Sequence, residues 1–416
     1  MKESQKNKPV VVVGAGVAGL ACARTLVSRG IDVVLFEASD RVGGRVGSRV
    51  VDGVSCDLGF QVSMTNYELL ESLVPRSELR RHRFIAGAMI VEEHGRTRVI
   101  DPRRNPLAAF APWRKGLVRL RDLKAVARCR SLARDPDAYA SEPTGELVHQ
   151  LGFSERFLES FIRPFFGGVL LDESLSAPAS RFLAAFDRFA HGFAELPAGG
   201  MQSLPAAMAD PLGSRVKLGR PVRGIEGTMI HLIDGDSVEG SAIVIALPRP
   251  QALQLLGFKA ETPDDSWNGT IAMHFASDQP LAIDRLIHLN ATRAGLLNLV
   301  CCPSMVAPGI APRGTTSILA SLRPGVQSTR EELESDSFID QVRNEAGRLL
   351  DTDPLHWRHL VTDSIPRALP ASTHAPDDPD LPEGVLLAGD WYVNPSIDDA
   401  IGSGIRCAQE LAARLS

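Results

Sequence analysis

Three glycines, Gly14, Gly16 and Gly19, stand in the spacing GxGxxG, and Glu37 follows them by roughly 20 residues. The chemistry open to such a set is the binding of a dinucleotide. Gly14 permits a tight strand-to-helix turn. Gly16 carries no Cβ to hold a pyrophosphate away from the backbone. Gly19 lets the helix pack closely on the strand. The first helical residues, Val17 and Ala18 among them, offer N–H groups and the positive end of the helix dipole to the phosphates. The Glu37 carboxylate is spaced to take the ribose hydroxyls. Directly after it, Ala38, Ser39, Asp40, Arg41, Val42, Gly43, Gly44 and Arg45 add a second glycine pair and a guanidinium. More backbone N–H groups and positive charge thereby come near a pyrophosphate, a piece that nicotinamide enzymes do not need.

The elements that must hold these residues lie around them. Val10–Val13 is a short apolar, β-branched run, which suits a strand buried on both faces. Good helix formers run from Gly19 to Arg29, with Gly30 as the stop. Ile31–Phe36 is a second apolar strand ending at Glu37. Strand, glycines, helix, strand and acid come in order, and they predict a dinucleotide-binding unit. The alternative is an αβ unit whose glycines serve packing alone.

The segment E-x-x-D-R-x-G-G-R from Glu37 to Arg45 resembles the FAD-binding N-terminus of the flavin-containing amine oxidase superfamily. That group includes monoamine oxidases, protoporphyrinogen oxidases and phytoene-desaturase-like enzymes. Three later stretches resemble it too: Pro197–Met201 (PAGGM), Arg215–Ile225 (RVKLGRPVRGI), and Gly384–Gly404 with Gly389-Asp390 near its start. The resemblance implies an α/β fold with a Rossmann-like FAD-binding domain of the glutathione-reductase type, drawn from 1–80, 196–260 and 383–416. An α+β substrate domain from 81–195 and 261–382 would interleave with it, carrying a mixed or antiparallel sheet and a mostly helical insertion at 105–195. Gly59, with Phe60 and Gln61, would pass close to the flavin ring. Phe60 stands where the family has a second glycine, and it either restricts the flavin's surroundings or joins the core. The backbone of Val222 would meet the adenine, and Asp390 the ribityl or pyrophosphate region. The helix starting near Ser396, Ile397 and Ala400 would aim its N-terminus at the flavin's pyrimidine end, where it stabilises negative charge on the reduced ring.

The departures from the family bear on the reaction. Typical amine oxidases of the group keep a lysine that holds a water under the flavin. The strand aligned with it, Thr270–Phe275, has none, and Lys259 is the nearest upstream. Ser396 stands about where the family has a tyrosine. No cysteine lies in the loop before the last helix, so the resemblance implies non-covalent FAD. The expected reaction is hydride removal from an apolar substrate, by CH–CH or CH–N oxidation of the protoporphyrinogen-oxidase or desaturase kind. The alternatives are an amine oxidase without the lysine and a flavin-binding protein without turnover. The electron acceptor stays open among dioxygen, a quinone and a nicotinamide. His274 is the titratable group on the aligned strand, either a general acid or base or a satisfied core residue. Trp391, Tyr392 and Asn394 follow Gly389-Asp390 and are candidates to face the ring.

Composition sets the outer bounds. The 416 residues, 44% hydrophobic and 23% charged, allow two or three domains with a sizeable core, and the net charge of −5 does not suggest nucleic acid. Six cysteines show neither a CxxC pair nor a zinc spacing, so no metal is expected, and a reducing, cytoplasmic setting is. The start, MKESQKNK, is polar and lacks a signal peptide's apolar region. Residues 103–134 hold ten Lys and Arg against Asp122. Leu117, Leu120 and Leu123 recur there at helical spacing, which predicts one basic amphipathic helix over 114–134. Its charged face suits plain solvation, docking on an anionic membrane, or an acidic partner. Leu171–Ala190 and Arg330–Leu350 each read as a helix, and Asp377–Pro382 as an acidic surface loop.

Overall fold

The computed structural model describes residues 8–258, 267–292, 294–371, 380–392 and 394–415. Residues 1–7, Lys259 and residues 377–379 lie outside that set.

Val10–Val13 is the middle strand of a five-stranded sheet. The order is Val216–Lys217, Val33–Phe36, Val10–Val13, Ala242–Ile245 and Val385–Leu387, and every neighbouring pair is parallel. The four valines are 0–3% exposed. Val10 and Val12 pack with the helix Val17–Ser28, whereas Val11 and Val13 pack in a second cluster with Ile225, Ile230 and Trp391. A strand covered on both faces has no polar side to alternate, which explains the unbroken apolar run. The last helix, Ile397–Leu415, lies against Val17–Ser28. Their approach is close enough that a Cβ on Gly404 would fall 2.0 Å from the Ala18 carbonyl oxygen.

A seven-stranded sheet takes strands from two separate stretches of chain. Its order is Arg358–Pro370, Trp267–Ser277, Thr316–Leu322, Leu297–Cys301, Ile287–Asn290, Gly87–Glu92 and Gly95–Ile100. Ile287–Asn290 pairs with Gly87–Glu92 in parallel, and the other pairs are antiparallel. Helices between residues 106 and 191 form their own apolar cluster around Phe157, Phe166 and Phe182. The six cysteines are all buried and unbridged.

Three expected helices are broken. Arg330–Leu350 divides into Arg330–Glu334 and Asp336–Leu350, because Ser335 accepts from the Phe338 N–H and caps a fresh start. Leu171–Ala190 begins with two leucines at positive φ, Leu171 and Leu175, and its helix spans only Ala179–His191. There Asp172 accepts from the Ser174 and Ala177 N–H groups and holds a loop. The basic segment at 114–134 divides as well, into Phe110–Arg114 and Leu120–Leu132, with Gly116 at φ +68° between them. Leu117 is buried, yet Leu120 is 70% and Leu123 48% exposed. The cause is Asp122. Its fully buried carboxylate accepts from the Arg119 and Ser154 N–H groups and from the Ser154 hydroxyl. Satisfying that acid inside the protein turns Ala125 and Cys129 inward and the two leucines out.

Candidate cofactor and active site

The glycine turn stands between strand and helix at the centre of the parallel sheet. Gly14 has φ +99°, and its N–H bonds the Phe36 carbonyl at 2.7 Å. A Cβ on Gly19 would fall 2.0 Å from the Gly14 carbonyl oxygen, so helix and turn touch there. Gly16 is different: a Cβ on it would meet nothing within 4 Å. The helix Val17–Ser28 has no side-chain cap and no acid in its first turn. The second glycine pair folds back onto this turn. Gly43 donates to the Ala15 carbonyl at 2.7 Å, and a Cβ on Gly44 would meet only the Gly16 Cα, at 3.4 Å. Glycine backbone thus lines an open cradle from both sides.

Charged side chains brace the cradle. Glu37 accepts from the Ala15 N–H at 2.8 Å and from the Ser39 N–H and hydroxyl at 2.9 and 2.8 Å. Arg41 donates to the Gly44 carbonyl at 2.9 Å and to Gln202 at 3.2 Å. Lys217 and Arg220 are laced to both ends of Glu37 by backbone bonds of 2.9 Å, which brings Val222, half-buried, to this edge; Ala38 is exposed. Arg45, expected near the pyrophosphate, and Asp390, expected at the ribityl or pyrophosphate region, meet each other. The guanidinium makes two bonds to the carboxylate, of 2.9 and 2.6 Å. It also donates to the Ala368 carbonyl at 2.9 Å and lies 5.3 Å from the centre of the Trp267 ring.

The remaining candidates spread around this pair. Gln61 donates to the Arg45 and Leu58 carbonyls, and its buried side-chain oxygen has no partner. Gly59, at φ +83°, faces the Thr270 and Ile365 methyl groups, 3.3 and 3.7 Å from where its Cβ would be. Phe60 is half-buried and meets Phe84 edge-on, ring centres 6.2 Å apart. His274 is 2% exposed and bonds the Asp57 carbonyl at 2.9 Å. Burial depresses its pKa to about 4, against the pull of that bond, so the ring is neutral at pH 7. The Asp57 carboxyl is raised to about 6 by burial, although the Ser48 hydroxyl and Met201 N–H bond it. Trp391 is 4% exposed, stacks on Tyr392 with ring centres 3.9 Å apart, and donates to the Leu247 carbonyl at 3.3 Å. Asn394 and Ile397 are half-buried, and Ala400 is buried. Ser396 bonds Asp399 at 2.7 Å, so the first turn of the last helix carries its own acids, Asp398 and Asp399, with Arg188 at 3.7 and 3.9 Å.

A family model of flavin containing amine oxidoreductases matches residues 17–412. The chain belongs to this family. It is an FAD-dependent oxidoreductase. Putrescine oxidase from Kocuria rosea is 29% identical over 301 residues, 63% of this chain and 61% of that protein. Protoporphyrinogen oxidase 2 from Arabidopsis thaliana is 51% identical over 66 residues, 16% of this chain and 13% of that one. The matches thus span less than two thirds of these relatives' length. Among solved structures, wild-type putrescine oxidase bound to putrescine superposes with TM-score 0.71 at 18% identity, covering 98% of this chain and 99% of that one. Reduced UDP-galactopyranose mutase does so with TM-score 0.69 at 15% identity, covering 98% and 96%. Those two likenesses show the shared fold.

The residues of this flavin-family chain fit the cofactor. The open space over Gly16 and Gly44 is a cradle that a Cβ would narrow, and the uncapped helix start beside it suits phosphate. Sequence reasoning missed Arg181, a buried guanidinium on the helix Ala179–His191. It donates to the Pro370 and Ala371 carbonyls; burial lowers its pKa to about 10, against the attraction of Asp390. It missed Tyr67 too, a buried phenol whose pKa burial pushes up, with the Arg188 guanidinium 5.4 Å from the centre of its ring. Neither sits in a motif: Arg181 meets Pro370, 189 residues on, and Tyr67 meets Arg188, far along the chain.

Proposed function

We propose that this oxidoreductase removes hydride from a carbon of an apolar substrate, by CH–CH or CH–N oxidation. The observation that carries the reading is the surface opposite Gly59. Thr270 and Ile365 present methyl groups there, and the strand Trp267–Ser277 contains no lysine. Bound FAD supplies the hydride acceptor. The protein's part is to hold and orient. The Gly14–Gly19 turn and Gly43-Gly44 receive the pyrophosphate, and Glu37 the ribose. The Val222 backbone receives the adenine. Arg45 and Asp390 brace the ribityl side, and Gly59, Phe60 and Gln61 lie along the ring. His274, Trp391 and Asn394 are the candidates at the reacting end, where His274 would act as a neutral ring. Attachment is non-covalent: no cysteine lies between Asp390 and Ile397.

In this reading 1–80, 196–260 and 383–416 form the cofactor domain, and 81–195 with 261–382 the substrate domain. The separate parallel and mixed sheets support that division. Among the described residues no helix is long and apolar enough to cross a membrane. A peripheral contact is nonetheless part of the proposal. Leu107, Phe110, Trp113, Leu120 and Leu123 are 48–88% exposed beside Arg114, Arg119, Arg121 and Lys124, all exposed. Apolar side chains fringed by cations suit an anionic bilayer that delivers an apolar substrate.

The test is anaerobic mixing of the flavin-loaded protein with a substrate panel, read as bleaching of the flavin. Apolar compounds with oxidisable CH–CH or CH–N bonds should bleach it. Bleaching by putrescine and similar amines alone would make the protein an amine oxidase without the lysine. A flavin that no compound bleaches would mark a binding protein.

A further inference from the structure

A cavity of about 560 Å³ has Phe84 in its wall. Four arginines line it, Arg83, Arg98, Arg104 and Arg285, and no carboxylate does. Phe84 and Phe193 supply apolar wall. The Arg83 and Arg104 guanidiniums lie over the Phe193 ring, 4.9 and 3.6 Å from its centre. Nearby acids neutralise only part of this charge. Asp284 pairs with Arg98 at 3.2 Å, and Asp101 with Arg103 and Arg104 at 2.6 and 3.6 Å. Among the described residues, Arg83 and Arg285 have no carboxylate within ion-pair distance, and both are exposed at the rim. Partial burial lowers the Arg104 pKa, against Asp101, and the Arg103 and Arg83 charges lower it further. Arg83 and Arg104, which share the Phe193 ring, therefore repel each other.

We propose that this cavity binds the carboxylate end of an apolar acid, with the head on Arg83 and Arg285 and the body along Phe84 and Phe193. Guanidiniums without acids form strong charge-assisted bonds to a carboxylate. A cavity of this size suits a small molecule. An amine would meet four like charges and no carboxylate in the lining, which separates this ligand class from putrescine. Phe84 also leads inward. Its ring meets Phe60, next to Gly59. The acid's far end would thus point toward the proposed ring site. The inference rests on the proposed function for that direction only, and on the cavity itself for binding.

Calorimetric titration of the flavin-loaded protein with decanoate, decylamine and inorganic phosphate tests it, with flavin content measured alongside. Decanoate should bind, and decylamine should not. In the double variant Arg83→Gln/Arg285→Gln decanoate affinity should fall about tenfold or more per removed guanidinium. Flavin content should hold, because neither side chain carries an ion pair. Unchanged decanoate affinity in the variant would overturn the proposal, as would decylamine binding equally well. Phosphate binding as tightly as decanoate would remove the apolar wall from recognition. Loss of flavin together with binding would place the arginines in the cofactor's support. Binding to phosphatidylglycerol vesicles without binding decanoate would assign the cavity to a lipid surface. Each of these three results also overturns it. Decanoate binding that survives while no compound bleaches the flavin would sink the proposed reaction and leave the cavity standing.

Discussion

The glycine cradle and the basic first part of the helical insertion, residues 105–134, handle charge in opposite ways. In the cradle, charges are spent inside the fold. Arg45 meets Asp390, and Glu37 holds the Ala15 and Ser39 backbone. What the cradle leaves open is backbone, at Gly16 and the start of the first helix. In the insertion, one acid is spent inside, Asp122, while Arg114, Arg119, Arg121 and Lys124 and the apolar Leu107, Phe110, Trp113, Leu120 and Leu123 stay outside. A site made of backbone needs glycines at fixed spacing. A surface made of side chains needs only composition, and its orientation hangs on a single buried group.

That contrast breaks most sharply at Gly19. Gly19→Val would drive side-chain atoms into the Gly14 carbonyl, and we expect the purified protein to carry no flavin. Leu120→Ala in the insertion should leave flavin absorbance unchanged and stability within about 0.5 kcal/mol. A yellow Gly19→Val protein would show that the close approach is dispensable. The insertion's own claim is next in size. Replacing Arg114, Arg119, Arg121 and Lys124 with Gln should remove up to about 4 kcal/mol of attraction to anionic vesicles, on a scale of about 1 kcal/mol per residue. Co-sedimentation at low salt reads this; equal binding to neutral and anionic vesicles by the parent protein would leave the segment an ordinary solvated surface.

Glu37→Ala sharpens the cradle side. Charge-assisted bonds worth about 1.5–3 kcal/mol would be lost, so FAD affinity should fall roughly 10- to 150-fold. Fluorescence titration of apoprotein with FAD measures it, and an unchanged constant would clear Glu37 of the role. The smallest effect is a pH slope. The folded Asp57 pKa, about 6, lies above the ordinary value of 3.8. Between these values the folded state holds more proton than the unfolded one. Its stabilisation is therefore complete below about pH 4 and lost as pH rises through about 6. Relative to Asp57→Asn, the parent should gain up to about 1.4 kcal/mol per unit as pH falls across that window. Denaturant melts of the two proteins at pH 4.5, 5.5 and 6.5 would read this slope, and parallel curves would place the Asp57 pKa near its unfolded value.

The same contrast explains what was legible in the sequence. The strand–glycine–helix unit was readable because Gly14, Gly19 and Gly404 stand where backbone atoms come too close for any Cβ. The buried strands were readable because both faces are covered. The basic segment reads as one helix over 114–134 because Leu117, Leu120 and Leu123 recur at helical spacing. The break at Gly116 and the turn of Leu120 and Leu123 to the outside have no local signal, since nothing nearby shows that Asp122 finds Ser154. The pairing of Arg45 with Asp390 spans 345 residues, and no local signal foretells it. The arginine cavity escaped notice for a similar reason: its walls come from four separate stretches, around residues 83–86, 98–108, 193 and 285.

The central claim is that the cradle between Gly16 and Gly44 holds FAD without a covalent bond. Acid precipitation of the purified protein, followed by assay of flavin in supernatant and pellet, tests this most directly. The account predicts a yellow protein that releases equimolar FAD into the supernatant. Flavin retained in the pellet, or a protein that binds NAD and no flavin, would contradict it.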